Sequence, residues 1–387
     1  MPTANTILVA HSRPDIVSGA ELAIADIVDK GRDGLRYVML TPGEGVLANH
    51  YRSKGYAVWA QKLETRRRLY PGLHIVQSIY FARKFRQRNI DAVLCNTFAA
   101  ASRVKTACSM ARIPYAIFVR EYISKKRSHR AMLASADMVL AVSKDVRDYL
   151  RDVVEPAKVV VAYDHLNAEP LLRRVKTHGN NRKRVVPFDP KHPVVGIVGR
   201  ITVYKRQDLF LRSIPYVLSE MPDARFVVVG SASKGERDFE QSLKTLARQL
   251  DIEEKVAFIG YRPDAVEVMS ELSVCCLTSD REPFPRTVLE AQLLACPVVT
   301  SNTGGCVEMV EDGVTGLLFE VASDNAPQQL ATQVVRLLRD KNLAARCTEQ
   351  ARYRLMKEFA SITPVKQLEE YLKVLVEKGA WAKNGRD

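Results

Sequence analysis

Short runs of β-branched and other apolar residues alternate along the chain with longer segments in which apolar positions recur every three or four residues. The short runs predict buried strands, and the longer segments predict amphipathic helices. The predicted strands are Thr6–Ala10, Tyr37–Leu40, Ala57–Ala60, Ala92–Cys95, Ala116–Val119, Met138–Val142 and Val159–Ala162, followed by Val194–Val198, Arg225–Val229, Val256–Ile259, Val274–Leu277 and Val298–Thr300. This alternation is typical of parallel sheets that are covered by helices on both faces.

The alternation stops at a basic, proline-containing stretch, residues 173–192, and then starts again. That stretch has few large apolar residues and is typical of a linker. A length of 387 residues also favours two domains. We therefore predict an α/β protein with two doubly wound, Rossmann-like domains facing a cleft, at 1–172 and 193–360. Residues 361–387 are predicted to hold a helix, Val365–Lys378, with a frayed tail from Gly379.

The net charge of +14 is unevenly distributed. Residues 1–187 contain 32 Lys and Arg against 16 Asp and Glu, whereas residues 188–387 contain 26 against 28. Such asymmetry indicates an anionic partner for the first half, such as a membrane surface, a phosphorylated acceptor or nucleic acid. The alternative is a merely solvated surface.

The sequence has no run of about 18 apolar residues and no recognisable secretion signal, so we expect a cytoplasmic protein. The seven cysteines lie mostly in apolar contexts and include no CxxC pair. This pattern suits a reducing compartment and disfavours both disulfides and a zinc site.

The stretch from Glu282 to Glu290 indicates a binding site more clearly than any other part of the sequence. Pro283 and Pro285 keep the segment before Arg286 out of a helix interior, and a helix is predicted from Arg286 to Leu294. Its first N–H groups, at Arg286, Thr287 and Val288, lack partners within the helix and form an anion site with the helix dipole. The carboxylates can accept hydrogen bonds from sugar hydroxyls.

Two further loops follow predicted strands. Gly199, Arg200 and Lys205 follow the strand Val194–Val198, where two fixed cations can neutralise a diphosphate. Gly304 and Gly305 follow the strand Val298–Thr300, where backbone N–H groups can form an anion nest. Ordinary surface charge and a simple tight turn are the alternatives for each loop taken alone.

Together these motifs resemble the retaining nucleotide-sugar glycosyltransferases of the GT-B architecture, specifically glycosyltransferase family 4, group 1. The resemblance covers roughly residues 193–320 and rests on Gly199-Arg200 with Lys205, the Glu282–Glu290 stretch, Gly304-Gly305 and the sequence DGVTGLLF. In the first half, Ser18-Gly19-Ala20-Glu21 is similar to the family's glycine-rich loop.

The resemblance implies the roles of the site residues. Arg200 and Lys205 would hold the donor diphosphate, and Glu290 the ribose. Glu282 and the segment Phe284, Pro285, Arg286, Thr287 and Val288 would hold the donor sugar and phosphate, with Gly199, Gly304 and Gly305 nearby. Tyr261 and Arg262 would lie beside the base, and Gly19 would approach the phosphates. The last helix would cross back to the first domain, and neither a metal nor another cofactor would be required.

The sequence departs from the family pattern on the acceptor side. Arg120 stands where many relatives have a histidine, and Glu121 follows it. We therefore take Arg120 and Glu121 as the candidate acceptor-side residues. Pro285 also stands where a glycine is common.

A basic and aromatic segment, His74 to Arg88, suits binding to anionic lipid headgroups. Its apolar positions, among them Ile75, Ile79, Phe81 and Phe85, alternatively face the core of the domain. The predicted partners are thus a nucleotide-sugar donor, a glycan, lipid-linked or phosphorylated acceptor, and an anionic membrane surface.

Three functions remain open at this point. A glycosyltransferase of cell-surface polysaccharide or glycolipid biosynthesis is favoured. A sugar-nucleotide epimerase of the same fold would turn over donor without acceptor. A basic nucleic-acid-binding protein is suggested by charge alone, and no nucleic-acid motif supports it.

Overall fold

The computed structural model describes residues 4–15, 19–31, 34–61, 71–180 and 184–384. Contacts divide the chain into two units. Unit 1 is Met1–His165 together with Ile362–Asp387, and unit 2 is Leu166–Ser361. Each unit is built around one parallel sheet.

The described part of unit 1 contains seven strands, β1 (Asn5–Ala10), β2 (Leu35–Thr41), β3 (Ala57–Ala60), β4 (Ala92–Cys95), β5 (Tyr115–Val119), β6 (Met138–Ala141) and β7 (Val159–Val161). They pair in the order β3-β2-β1-β4-β5-β6-β7. The helices between them are α1 (Gly19–Lys30), α2 (Val46–Ser53), α3 (Pro71–Gln87), α4 (Phe98–Ala111), α5 (Arg127–Ala134) and α6 (Lys144–Leu150). Consecutive residues such as Ile7 and Leu8 are both fully buried, because helices cover both faces of the sheet.

Unit 2 contains, within its described residues, β8 (Val194–Val198), β9 (Arg225–Val229), β10 (Val256–Gly260), β11 (Val274–Leu277), β12 (Val298–Ser301) and β13 (Leu317–Phe319). They pair in the order β10-β9-β8-β11-β12-β13. The helices are α7 (Ala168–Asn180), α8 (Gln207–Glu220), α9 (Arg237–Gln249), α10 (Ala265–Ser270), α11 (Arg286–Leu293), α12 (Cys306–Met309), α13 (Ala326–Arg339) and α14 (Lys341–Glu358).

The predicted α/β fold with two Rossmann-like domains is confirmed. Every predicted strand is present, with ends that differ by two residues or fewer. The sequence did not predict β13, because three residues after a Thr-Gly pair give too short an apolar run to distinguish a strand from a turn.

The predicted linker differs from the structure. Helix α7 runs through its first part and is fastened to α10: the Arg174 guanidinium donates to both carboxylate oxygens of Glu267, at 3.0 and 2.8 Å. The Glu271 carboxylate accepts hydrogen bonds from the backbone N–H groups of Val185 and Val186, each at 3.1 Å. Arg174 and Arg184, two of the basic residues that suggested a solvated linker, therefore pair with buried or half-buried carboxylates, and the boundary between units falls at His165.

The last helix, α15 (Thr363–Asn384), contacts β4, α1 and β1, so it is part of unit 1. The prediction of a frayed tail from Gly379 is wrong, because the helix continues to Asn384. Gly379 is buried so closely that a Cβ there would lie 2.6 Å from the ring of Pro114. The polar composition of the tail did not reveal this contact.

No helix among the described residues is both long and apolar enough to cross a bilayer. At 22 residues, α15 has sufficient length. Charged side chains, among them Lys366, Glu370 and Lys373, recur along it.

Candidate functional site

The sheet of unit 2 has a topological switch point between β8 and β11. From these neighbouring strands, the chain order proceeds outward in opposite directions, through β9 and β10 on one side and β12 and β13 on the other. Ligands of open parallel sheets bind at the carboxyl ends of the strands at such a point. The loop after β8 carries Arg200 and Lys205, and the loop after β11 carries Glu282.

Lys205 and Glu282 form a buried ion pair across these two loops. The Lys205 Nζ lies 2.5 Å from Glu282 Oε1, and the two side chains are 14% and 9% exposed. The Ser279 hydroxyl donates to the same oxygen at 2.8 Å. Burial alone would lower the pKa of Lys205, but the Glu282 carboxylate outweighs it and raises the pKa, so the ammonium stays charged.

Hydroxyl and backbone groups fix the loop that carries Lys205. The Thr278 Oγ1 lies 2.8 Å from the Lys205 carbonyl oxygen and 2.9 Å from that of Arg206, and the Asp280 N–H donates to the Tyr204 carbonyl at 2.8 Å. Sequence reasoning missed Thr278 and Ser279, although polar residues directly after a buried strand are a usable signal. Thr278 and Ser279 thus fix the relative positions of the Lys205 ammonium and the Glu282 carboxylate.

Arg200, by contrast, is exposed. Its side chain makes no hydrogen bond or salt bridge to the residues that the structure describes. Its carbonyl oxygen accepts from the Gln207 side chain at 3.0 Å, which fixes the backbone beneath it. The guanidinium is therefore available to an anionic ligand.

Gly230 lets the loop after β9 approach the loop after β8 at Gly199. The φ of 153° at Gly199 and the φ of 137° at Gly230 lie outside the usual range of L-residues. A Cβ on Gly230 would lie 1.9 Å from the Gly199 carbonyl oxygen. Only glycine at position 230 permits this approach.

Replacing Gly230 by alanine should therefore reduce the free energy of unfolding by about 3 kcal/mol or more, through steric overlap and backbone strain. Gly235→Ala is the matched control, since a Cβ there meets nothing within 4 Å. Chemical denaturation of both variants measures the difference. Equal stabilities would contradict the close approach of the two loops.

The start of α11 differs in detail from the predicted anion site. The Val288 N–H donates to the Pro285 carbonyl at 3.1 Å, so it is already used within the first turn. The tighter first turn is a common way to satisfy such a group. The N–H groups of Arg286 and Thr287 remain as the candidates. Arg286 and Glu290 share one face, as predicted, with the Arg286 Nε lying 3.4 Å from Glu290 Oε1.

Gly305 has a different role from the predicted nest. Its N–H donates to the Glu282 carbonyl at 2.7 Å, and a Cβ there would lie 2.1 Å from the Pro283 carbonyl oxygen. The N–H group therefore holds the carboxylate loop and is not open to a ligand. Gly304, at a φ of 58°, forms the turn that permits this contact.

Other predicted donor-site residues are distributed as follows. Phe284 is buried against Phe359, with ring centroids 5.4 Å apart, and Pro285 is buried beside it in sequence. Tyr261 is 74% exposed after β10, and the neighbouring Arg262 donates to both oxygens of Asp264. Gly19 is exposed at the first position of α1 in unit 1, and residues 16–18 before it lie outside the described residues.

On the predicted acceptor side, Arg120 directly follows β5, and its side chain is 8% exposed. Its Nε donates to Asp164 at 2.8 Å and its Nη1 donates to the Asn96 side-chain oxygen at 2.7 Å. His11, which the sequence reasoning missed, is fully buried after β1, and burial together with the charge of Arg120 lowers its pKa to about 3. Glu121 is exposed. Arg120 thus organises the strand ends of unit 1.

Within the described ranges, no group of three or more His, Cys, Asp or Glu side chains is placed to hold a metal ion. All seven cysteines are described, and each is a buried free thiol. Burial raises the pKa of Cys306 near the Lys205–Glu282 pair to about 12, so its thiol is not a nucleophile at neutral pH.

The sequence is similar to those of curated proteins over part of its length. It shares 26% identity over 238 residues with N-acetyl-alpha-D-glucosaminyl L-malate synthase of Bacillus anthracis, covering 61% of this chain and 59% of that protein. It shares 36% over 135 residues with D-inositol 3-phosphate glycosyltransferase of Mycobacterium sp. strain KMS, covering 34% of this chain and 30% of that protein. The chain thus spans between about a third and three fifths of the length of these curated relatives.

Solved structures match over nearly the whole chain. Alr3699/HepE of Anabaena, in complex with UDP and glucose, superposes with a TM-score of 0.79 at 22% identity, covering 96% of this chain and 100% of that one. A glycosyltransferase of Rickettsia africae gives a TM-score of 0.80 at 18% identity, covering 96% and 98%. These likenesses establish the GT-B fold. Residues 180–354 match the model of the family "Glycosyl transferases group 1". This region contains Arg200, Lys205 and Glu282, and through it the chain is similar to the group 1 glycosyl transferases.

Proposed function

We propose that the protein is a retaining glycosyltransferase of family 4. It would transfer a sugar from a nucleoside diphosphate-sugar to a hydroxyl group of a glycan, lipid-linked or phosphorylated acceptor, in cell-surface polysaccharide or glycolipid biosynthesis. The observation that carries the proposal is the buried Lys205–Glu282 pair at the switch point of the sheet, with the exposed Arg200, which has no ion pair to the described residues, on the same loop as Lys205.

The site supplies the charges that departure of a nucleoside diphosphate requires. Arg200 and Lys205 neutralise the negative charge that develops on the diphosphate, and the N–H groups of Arg286 and Thr287 add dipoles of the same sign. Glu282 and Glu290 accept hydrogen bonds from hydroxyl groups of the sugar and ribose. Since fixed cations provide the stabilisation, we propose that donor binding needs no metal or other cofactor.

The configuration at the anomeric carbon is retained if the acceptor attacks on the face from which the diphosphate leaves. The bond from the anomeric carbon to the diphosphate oxygen breaks, and the electron pair stays on the diphosphate. The acceptor oxygen forms the new bond on the same face, and its proton passes to a phosphate oxygen of the leaving group. No enzymic nucleophile takes part, which fits a site whose one nearby thiol, Cys306, remains protonated.

The comparisons support a first choice of substrates. The Anabaena protein was solved with UDP, and two relatives are named for malate and inositol 3-phosphate, which are small anionic hydroxyl compounds. An anionic acceptor also suits the excess of Lys and Arg in residues 1–187. We therefore propose UDP-sugar as the donor and an acceptor that carries a phosphate or carboxylate.

The two alternative functions predict different results in the same assays. A sugar-nucleotide epimerase would convert the donor when no acceptor is present, whereas a transferase would leave it intact apart from slow hydrolysis. A nucleic-acid-binding protein would lose affinity steeply with salt and would not recognise a nucleoside diphosphate.

Thermal shift with UDP, GDP and ADP tests the donor proposal most directly. A ligand at about 100 times its dissociation constant adds about 2.7 kcal/mol to the stability of the native state. This corresponds to roughly 5–10 °C in Tm for a unit of this size. We expect the largest shift with UDP and a smaller one in the Arg200→Ala variant. The proposal fails if none of the three diphosphates shifts Tm at millimolar concentration.

A further inference from the structure

Helix α3 presents an apolar surface to solvent. Ile75, Val76, Ile79 and Tyr80 are 52%, 63%, 39% and 42% exposed, although they occupy two successive turns of one helix. With Arg83, one turn further on, they form a continuous outward surface that we call the α3 face. Single exposed apolar residues are ordinary, but four adjacent ones indicate a binding surface.

The opposite side of α3 anchors the helix without help from these residues. Phe81 and Phe85 are completely buried, and their rings lie 5.0 and 6.1 Å from that of Trp59. The core alternative for the apolar positions of this segment is therefore correct for Phe81 and Phe85 and wrong for Ile75 and Ile79. The exposed residues contribute little to the core and can be exchanged without unfolding the unit.

The surroundings of the α3 face are basic. Residues 71–113, which span α3, β4 and α4, contain seven Lys and Arg and one acidic residue, Asp91. Asp91 accepts a hydrogen bond from the Thr6 N–H at 2.8 Å. Arg83 is exposed and has no hydrogen bond or ion pair to the described part of the chain. The charge that α3, β4 and α4 contribute is thus almost entirely positive.

We propose that the α3 face binds the surface of an anionic lipid bilayer. Apolar side chains at one end of a helix and cations further along it match the two layers of a membrane interface, acyl chains below and phosphates above. The proposal concerns where the protein works, and it uses none of the residues of the donor site.

Two other occupants fit the α3 face less well. In a symmetric dimer the same surface would meet its own copy and bring cations such as Arg83 together with few carboxylates to offset them. Two exposed helical turns are also a small area for a stable dimer, which typically buries about 800 Å² on each partner. An acidic protein would satisfy the charge but not the exposed aliphatic side chains.

Sedimentation with vesicles tests the proposal on the full chain. The vesicles contain phosphatidylcholine alone or an equal mixture of phosphatidylcholine and phosphatidylglycerol. We expect binding to the mixed vesicles and little to the neutral ones. Val76→Ser with Ile79→Ser should weaken binding about tenfold or more, because apolar area no longer enters the bilayer. Arg83→Gln should weaken it about fivefold, on the mixed vesicles only.

A matched control comes from unit 2. Tyr353 and Met356 on α14 are 66% and 44% exposed, and Tyr353→Ser with Met356→Ser should sediment like the wild type. All variants should keep the Tm and the nucleotide-induced shift, which separates failure of this proposal from failure of the donor site. Equal binding to both vesicles, wild-type binding by the α3 variants, or a dimer that those variants dissociate would each overturn it.

Discussion

Replacing Arg200 by alanine should lower kcat by about 10²–10³-fold, the effect of removing one donor that stabilises developing charge. The fold should survive unchanged, because the Arg200 side chain is exposed and makes no polar contact with the described residues. The Tm without ligand should therefore equal that of the wild type. Initial rates of transfer from the donor that thermal shift identifies measure the effect.

A second exposed arginine of unit 2 provides the control. Arg212 lies on α8, is exposed and, like Arg200, has no ion pair with the described residues. Arg212→Ala should keep wild-type turnover. If Arg200→Ala also stays within a few-fold of the wild-type rate, the role of Arg200 in charge stabilisation is refuted.

Replacing Lys205 by methionine should affect both stability and turnover. The substitution removes the ammonium that lies 2.5 Å from Glu282, whose side chain is 9% exposed. Removing one member of a buried ion pair costs about 3–5 kcal/mol, because the remaining charge is buried and uncompensated. Urea denaturation should show this loss. Transfer should fall by about 10² or more, since the diphosphate also loses a cation.

A double variant separates the two effects. Lys205→Met with Glu282→Gln removes the carboxylate charge as well as the ammonium, and it should recover part of the lost stability without recovering transfer. Lys244→Ala is the exposed control, because its Nζ lies 3.9 Å from Glu240 on the surface and such pairs contribute about 0–1 kcal/mol. Full stability in Lys205→Met alone would show that the pair is not buried as described.

The pH dependence of the pair has a definite sign. The folded-state pKa of Lys205 is raised above its ordinary value, so the stabilisation from Lys205 is complete below the ordinary pKa of lysine. It is lost as the pH rises through the raised value. Across the neutral range, therefore, the charge of Lys205 should not change with pH.

The sequence was most informative where a run of apolar residues decides the structure. Unbroken apolar runs such as Val194–Val198 indicated strands covered on both faces, and the residues that follow them indicated the edge at which a ligand binds. This reasoning, together with the resemblance to the glycosyltransferase family, predicted Arg200, Lys205 and Glu282 as site residues, and the structure brings Lys205 and Glu282 into contact.

Contacts between distant segments could not be predicted in this way. The Gly305 N–H donates to the Glu282 carbonyl, and the paired glycines alone could not distinguish this from an open anion nest. The basic residues of α7 have the composition of a solvated linker, but in the structure Arg174 donates a hydrogen bond to Glu267. Hydrophobic periodicity reports which face of a helix is apolar, but not which partner a charged side chain finds.

Helix α15 has a consequence for how the protein is made. It follows unit 2 in sequence and yet belongs to unit 1, so unit 1 is assembled from two ends of the chain. On the ribosome, unit 2 can finish folding before α15, the last segment of unit 1, has been synthesised. Early termination of translation should therefore yield a folded unit 2 attached to an incomplete unit 1, which exposes apolar surface to chaperones and proteases.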